Sequence, residues 1–280
     1  MTIGAGVPVR DALDSALVAL QGAGVDSPRL DAEVLLAHAL GVDRAALWLH
    51  PEREVTGAAT RWFRDAVRRR AVGREPVAYL TGRRGFRHLD LEVDPRVLIP
   101  RPETEHLVEA LLDLPHGVAV HDVGTGSGAI ALALKDERPD LRVGASDVSP
   151  GALAVAHANA RRLGIDVAFT EGDLLDGVDG GDLHAVVSNP PYVAEGERAA
   201  LPRDVAAHEP GLALFAGAEG LGVIRPLVTQ SAGTAARVLA LEVGAGQAPV
   251  VRGLVAAAGF DDVTVIRDLA GIERVVVGRR

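Results

Sequence analysis

The sequence predicts an α/β chain: a mostly parallel sheet drawn from seven strand-like runs, preceded by a small all-helical domain and a β-hairpin linker. Three observations predict it. From residue 101 onward, short apolar runs alternate with stretches of helical periodicity, the pattern of parallel strands joined by right-handed crossover helices. The last two runs, Val263–Arg267 and Arg274–Val277, are separated only by Asp268–Glu273. A parallel pair needs a crossover of about a dozen residues or more, so these two pair antiparallel or not at all. Residues 8–82 carry helical spacing, punctuated by glycine and proline. The predicted divisions are 1–84 for the helical bundle, 85–100 for the hairpin linker and 101–280 for the α/β domain.

In the bundle, Leu13, Leu17 and Leu20 keep helical spacing up to the Gly22/Gly24 break. Ser27-Pro28 supplies an N-cap and a proline at the first helical position, Leu30, Val34, Leu35 and His38 continue the turns, and Gly41 stops them. Asp43 caps a third, short helix ahead of Pro51. Thr56 caps a fourth, in which Phe63, Val67 and Ala71 share a face before Gly73. Trp48, Trp62 and Phe63 read as the core of this bundle, and Arg68-Arg69-Arg70 as a solvated face. From Phe86 to Ile99 the pattern turns to alternation: Leu89, Leu91 and Val93, then Asp94-Pro95, then Val97-Leu98-Ile99, which reads as a β-hairpin.

Beyond it the strand-like runs are Val118–Val123, Val143–Asp147, Val167–Thr170, His184–Ser188, Val238–Val243, Val263–Arg267 and Arg274–Val277, with helices such as Ala129–Lys135 and Pro150–Leu163 between the early ones. Six parallel strands closed by one antiparallel strand resembles the Rossmann-like sheet of class I methyltransferases.

Composition bounds the chemistry. The net charge of −9 argues against a polyanion as main partner, because phosphate neutralisation needs a basic footprint. The charge is uneven: residues 1–85 hold 12 Arg against 10 acidic residues, so an acidic partner meets the N-terminal part. Without cysteine there is no disulfide, thiolate metal site or cysteine nucleophile, and no histidine pair has metal-ligand spacing, so no metal is expected. Met1 to Asp11 lacks the features of a signal peptide, and no uncharged apolar run reaches about 18 residues. The expectation is a soluble, cytoplasmic monomer with no membrane association.

His121-Asp122-Val123-Gly124-Thr125-Gly126-Ser127-Gly128 follows a strand and opens a helix. Its glycines permit a tight turn and let backbone N–H groups approach a ligand at a helix N-terminus. The spacing is G-x-G-x-G rather than the dinucleotide pattern G-x-G-x-x-G. Asp147 ends the next strand, where a carboxylate accepts both ribose hydroxyls of an adenosine; Asp173 follows the third strand, placed to accept from the adenine amine, with Leu174 as apolar neighbour. Asp122, Asp147, Asp173 and Asn189 thus fall at the C-terminal ends of successive strands, where open α/β sheets bind ligands. On the methyltransferase resemblance the ligand is S-adenosyl-L-methionine, leaving as S-adenosyl-L-homocysteine, and Asp122 is the group nearest its methionine amine.

Asn189-Pro190-Pro191-Tyr192 follows the apolar strand Ala185-Val186-Val187. Two prolines remove two backbone donors and leave carbonyls that need partners. The Asn189 side-chain carbonyl and the Pro190 backbone carbonyl each accept one N–H of a planar NH₂ group, and Tyr192 covers it by stacking. An amide nitrogen is a poor nucleophile, so catalysis comes from positioning and desolvation; no base is present within the segment. The tetrapeptide alone permits exocyclic amines of nucleobases as well as protein glutamine, so a DNA or rRNA amino-methyltransferase stands as the alternative.

Ser27-Pro28-Arg29-Leu30-Asp31-Ala32-Glu33, Tyr79-Leu80-Thr81-Gly82, Ile99-Pro100-Arg101-Pro102-Glu103-Thr104-Glu105, His208-Glu209-Pro210 and Leu241-Glu242-Val243-Gly244 extend the match outside these two motifs. With them the chain resembles, over essentially its whole length, the release factor glutamine methyltransferases, the HemK or PrmC family. The resemblance implies N5-methylation of the glutamine in the Gly-Gly-Gln loop of class I peptide chain release factors, with the bundle as the release-factor-binding domain and no stable nucleic acid binding. It carries cofactor contacts onto Gly124, Thr125, Gly126, Ser127, Gly128, Asp147, Leu174 and Asn189, and acceptor contacts onto Asn189, Pro190, Pro191 and Tyr192. Family members often have an aromatic residue where Leu174 falls. Arg101 and Glu209 are further candidates, the first for a carboxylate of cofactor or substrate, the second against a role in ordering its loop.

Overall fold

The computed structural model describes residues 6–280; residues 1–5, the start of the predicted bundle, lie outside the described residues. Two compact units result, one formed by the chain up to Gly82 together with Pro202–His208, the other by Arg83–Leu201 and Glu209–Arg280.

In the first unit a two-residue strand β1 (Val7–Pro8) pairs antiparallel with β2 (Glu54–Val55), and the helices are α1 (Val9–Gly22), α2 (Pro28–Leu40), α3 (Arg44–Leu49), α4 (Gly57–Gly73) and α5 (Val77–Thr81). Leu20, Leu35, Leu36, Leu47 and Phe63 form the buried centre. Gly41 ends α2 in the left-handed region that glycine adopts without penalty. The helices start where Ser27, Asp43 and Thr56 predict, but none of these side chains makes a capping bond. Their backbone carbonyls begin the helices instead, Ser27 accepting from Asp31 N–H at 2.9 Å and Asp43 from Ala46 N–H at 3.0 Å.

Two predicted side-chain placements are overturned. Trp48 is 56% exposed, because α3 turns it outward, where the Arg29 guanidinium lies 4.6 Å from its ring centroid. Arg70 belongs to no solvated face: it is buried, paired with Asp31 at 2.7 Å and Asp204 at 3.3 Å. The acidic partners offset the cost of burying the guanidinium. His208 adds a contact to the Gly73 carbonyl at 2.7 Å, so Pro202–His208 closes over the C-terminal end of α4.

The second unit opens with a hairpin of β3 (Arg83–Phe86) and β4 (Leu89–Glu92), turning at Arg87-His88 with Arg87 at φ +52°. The predicted hairpin is therefore present with its strands earlier in the chain. Arg87 is held by two bonds to Glu137 and one to Glu109, each 2.7 Å, which fix that turn. Asp94 makes a local turn of its own by accepting from Arg96 N–H at 3.0 Å, and residues 95–100 after it form no strand.

A single 3-10 turn (Pro102–Thr104) leads into α6 (Glu105–Glu109), and then come β5 (Ala119–Val123), α7 (Ala129–Glu137), β6 (Arg142–Asp147), α8 (Pro150–Leu163), β7 (Ala168–Glu171) and β8 (Leu183–Ser188). After α9 (Arg203–His208) follow α10 (Ile224–Ala232), β9 (Val238–Glu242), α11 (Ala248–Ala257), β10 (Asp262–Arg267) and β11 (Glu273–Arg279). The sheet order is β10-β11-β9-β8-β5-β6-β7, parallel except for β11, which runs antiparallel to both neighbours. Along β8, Ala185 and Val187 join one core with Leu107, Ile130 and Leu132, while Val186 joins the other with Leu227, Val251 and Phe260. Both faces are covered, so these strands read as continuous apolar runs. β5 has β6 on one side and β8 on the other, so the order reverses there and opens a crevice at the strand ends. No helix among the described residues is long and apolar enough to cross a membrane.

Candidate active site

That crevice holds a cavity of about 370 Å³, within the range of small-molecule sites. At one end the loop after β5 forms its wall. Gly124 and Thr125 N–H groups both reach the Ser146 carbonyl, at 2.8 and 2.9 Å, and Gly126 N–H reaches Asp147 Oδ2 at 2.9 Å. Asp147 also accepts from Ser149 N–H at 2.9 Å, and burial raises its pKa. The three glycines divide by role. Gly124 and Gly126 have positive φ and open space where a Cβ would sit, whereas a Cβ on Gly128 would come within 2.9 Å of Leu132. The first two leave room over the loop; the third lets it pack on α7.

Asp122 lies behind this loop and is fully buried. Its Oδ2 accepts from the Thr125 hydroxyl at 2.7 Å and Ala131 N–H at 3.2 Å, while Oδ1 has no hydrogen-bond partner. Burial pushes its carboxyl up to about 7. Next to it His121 is held neutral, its pKa lowered by burial to about 4. Ser146 donates its one hydroxyl proton to the Leu174 carbonyl at 3.0 Å, so His121, also 3.0 Å away, is the donor to Ser146 through Nε2. This chain holds the far wall, where Leu174 sits at φ +55°, a conformation with a steric cost for a branched side chain.

At the other end the last residue of β8 and the three that follow line the cavity: Ser188, Asn189, Pro190 and Pro191. Asn189 Nδ2 donates to Thr104 Oγ1 at 3.0 Å, and Thr104 donates to Glu242 Oε2 at 2.6 Å. Tyr192 is not among the residues that line the cavity. Its hydroxyl lies 3.4 Å from Glu242 Oε1, and Gln247 holds its backbone carbonyl at 2.9 Å. Gly220 presses on the same carbonyl so closely that no Cβ fits there.

Of the residues singled out from sequence, Gly124, Thr125, Gly126, Ser127, Asp147, Asp173, Leu174, Asn189, Pro190 and Pro191 meet around this one cavity. Asp122, Gly128 and Tyr192 stand behind its wall. Arg101 and Glu209 pair with each other at 2.5 Å, and Glu209 also accepts from Ile99 N–H at 3.3 Å. Thr104 and Glu242 were missed as site residues. Both lie in matched stretches, but nothing in the spacing of a threonine in one segment and a glutamate in another announces that they meet.

Residues 11–82 match the family described as the PrmC N-terminal domain, and residues 102–207 the methyltransferase small domain. A release factor glutamine methyltransferase of Koribacter versatilis is 44% identical, covering 97% of this chain and 98% of its own. The chain belongs to the release factor glutamine methyltransferase family. A relative of the same name from Moorella thermoacetica is 43% identical over 97% of this chain and 98% of its own. The crystal structure of a methyltransferase from Pyrococcus furiosus shares the fold, with a TM-score of 0.51 at 18% identity over 68% of this chain and 88% of that one. Membership in the release factor glutamine methyltransferase family makes the chain an S-adenosylmethionine-dependent methyltransferase. The seven-stranded sheet with its single antiparallel strand is the class I methyltransferase arrangement predicted from sequence.

Proposed function

We propose that this protein transfers the methyl group of S-adenosyl-L-methionine to the side-chain nitrogen N5 of the glutamine in the Gly-Gly-Gln loop of class I peptide chain release factors. The observation that carries the reading is that one cavity has a glycine loop at one end and Asn189-Pro190 at the other. The residues present fit the cofactor: open space above Gly124 and Gly126, Asp147 at the end of β6, and a buried carboxylate oxygen on Asp122 that lacks a partner. In this reading Asp147 binds the ribose hydroxyls, Asp173 and Leu174 the adenine, and Asp122 acts on the methionine amine through an intervening water.

The cofactor, when bound, supplies an electrophilic methyl group. The chain's own part is positional. Asn189 Oδ1 and the Pro190 carbonyl accept the two N–H bonds of the glutamine amide, fix its plane and turn a lobe of nitrogen density toward the cofactor. Methylation of the nitrogen would place positive charge on the amide N–H groups, which those two acceptors would stabilise until one proton leaves to solvent. The N-terminal unit is the release-factor-binding part, and the enzyme works as a cytoplasmic monomer. The overall charge of −9 favours a protein acceptor over nucleic acid.

Transfer of tritiated methyl to a purified class I release factor tests this, with its Gln→Ala loop variant, DNA and rRNA as parallel acceptors. Label is expected in the wild-type release factor alone. Label in nucleic acid, or equal label in the Gln→Ala factor, overturns the assignment.

A further inference from the structure

Asn189 must offer a carbonyl oxygen, not an amide nitrogen, to an incoming NH₂ group. Nothing within Asn-Pro-Pro-Tyr decides which way the carboxamide is turned, since the two orientations differ by a half-turn and only hydrogen-bond partners distinguish them. The partner is Thr104, 3.0 Å from Nδ2, which in turn lies 2.6 Å from Glu242. Thr104 is 4% exposed and Glu242 1%, so bulk water does not satisfy either. Ser188 and Leu241 are register partners on the neighbouring strands β8 and β9, which places Asn189 and Glu242 side by side at the strand ends with Thr104 bridging them.

A carboxylate only accepts hydrogen bonds. Facing one, Thr104 gives Glu242 its single hydroxyl proton and has only lone pairs left for Asn189, which must then point Nδ2 at it. We infer that Glu242, acting through Thr104, is a positioning residue that locks the Asn189 carboxamide with Oδ1 toward the cavity. This rests on the acceptor role given to Asn189 above. Protonation of Glu242 reverses the chain: the acid donates to Thr104, Thr104 is free to donate to Asn189 Oδ1, and the carboxamide loses its direction. Turned over, it would set N–H against N–H at the acceptor.

The groups that face Glu242 are Thr104, Tyr192, Glu103 and Arg274. Burial, reinforced by Glu103, holds its pKa up to about 7 against the two hydroxyls and Arg274, so the reversal falls near neutrality.

The test uses the full-length protein with S-adenosylmethionine and release factor. Thr104→Val keeps the shape and removes the hydroxyl; kcat is expected to fall on the order of 10- to 100-fold, with cofactor affinity by calorimetry and KM for the acceptor little changed. Thr104→Ser restores most of the loss. Wild-type kcat falls as pH drops through about 7, whereas Glu242→Gln, whose amide offers either end to Thr104, is slower at high pH and lacks that fall. A readout independent of any acceptor is the side-chain amide resonance of Asn189, expected to titrate across neutrality in the wild type and to stay fixed in Glu242→Gln. If release factor is not methylated but this resonance titrates, the acceptor reading fails and the relay stands. If the resonance does not titrate, or Thr104→Val turns over at the wild-type rate, the relay is overturned. Should Thr104→Val not fold, the serine and glutamine variants with the resonance decide it by the same criteria.

Discussion

At the glycine-loop end of the cavity, Gly126 N–H meets Asp147 across 21 residues of chain; at the Asn189 end, Asn189 meets Thr104 across 85 and Thr104 meets Glu242 across 138. The first end is shaped by backbone groups and a carboxylate on the adjacent strand, β6. The second is a side-chain relay between three elements that only the folded sheet brings together. Backbone-built surfaces hold a ligand in many small contacts, while a relay sets the orientation of one atom. Damage to the first is therefore expected in affinity and damage to the second in rate.

Asn189→Ala gives the largest effect and the sharpest test of this contrast: turnover lowered about 100-fold or more, with cofactor affinity kept within several-fold. Single-turnover kinetics beside calorimetry separate the two, and a loss confined to affinity would erase the distinction between the ends. Asp147→Ala should behave in the opposite sense, weakening cofactor binding about 10- to 100-fold while turnover at saturating cofactor stays near wild type. A rate defect that saturation cannot recover would place Asp147 in the chemistry. Within the glycine loop, Gly128→Ala is expected to destabilise the fold by about 1–3 kcal/mol, through its positive φ and the clash with Leu132. Gly126→Ala, with open space at its Cβ, should cost about 1 kcal/mol and act mainly on cofactor affinity. Urea titrations of both variants check the order.

An effect of similar size to that of Gly126→Ala concerns pH. Asp122 has its pKa raised by burial to about 7 from an ordinary 3.8, so between those values the folded state keeps a proton that the unfolded state has lost. Stability contributed by the neutral acid is then present at low pH and lost as pH climbs through that window. Asp122→Asn cannot ionise, so its stability relative to wild type should improve by about 1 kcal/mol or more from about pH 5 to about pH 8, in melts without cofactor. A gap that does not move with pH would mean that the unpartnered oxygen carries no buried charge.

The sheet was legible because its strands are covered on both faces and so stand out as unbroken apolar runs, and the six residues between the last two excluded a parallel pairing, leaving the antiparallel one that is found. The cavity's glycine wall and Asn189–Pro191 were legible for a related reason, being contiguous segments at strand ends. What escaped was whatever depends on a distant partner. Trp48 looks like core until Arg29 is seen lying on it, and Arg70 looks like one of three surface arginines until Asp31 and Asp204 enclose it. The hairpin slipped because Asp94-Pro95 does form a turn, while the strand reversal belongs to Arg87, held by Glu137 from α7. Thr104 and Glu242 fall in the same class, each unremarkable in its own segment.

Pro202–His208 belongs to the unit otherwise built from the first 82 residues. During synthesis the bundle helices leave the ribosome long before this piece does, and Arg70 then has Asp31 but not yet Asp204 beside it. The bundle reaches its final ionic arrangement only after Asn189–Tyr192 has been made. A fragment ending at Gly82 would carry a helix end open to solvent where the native chain supplies its own late cover.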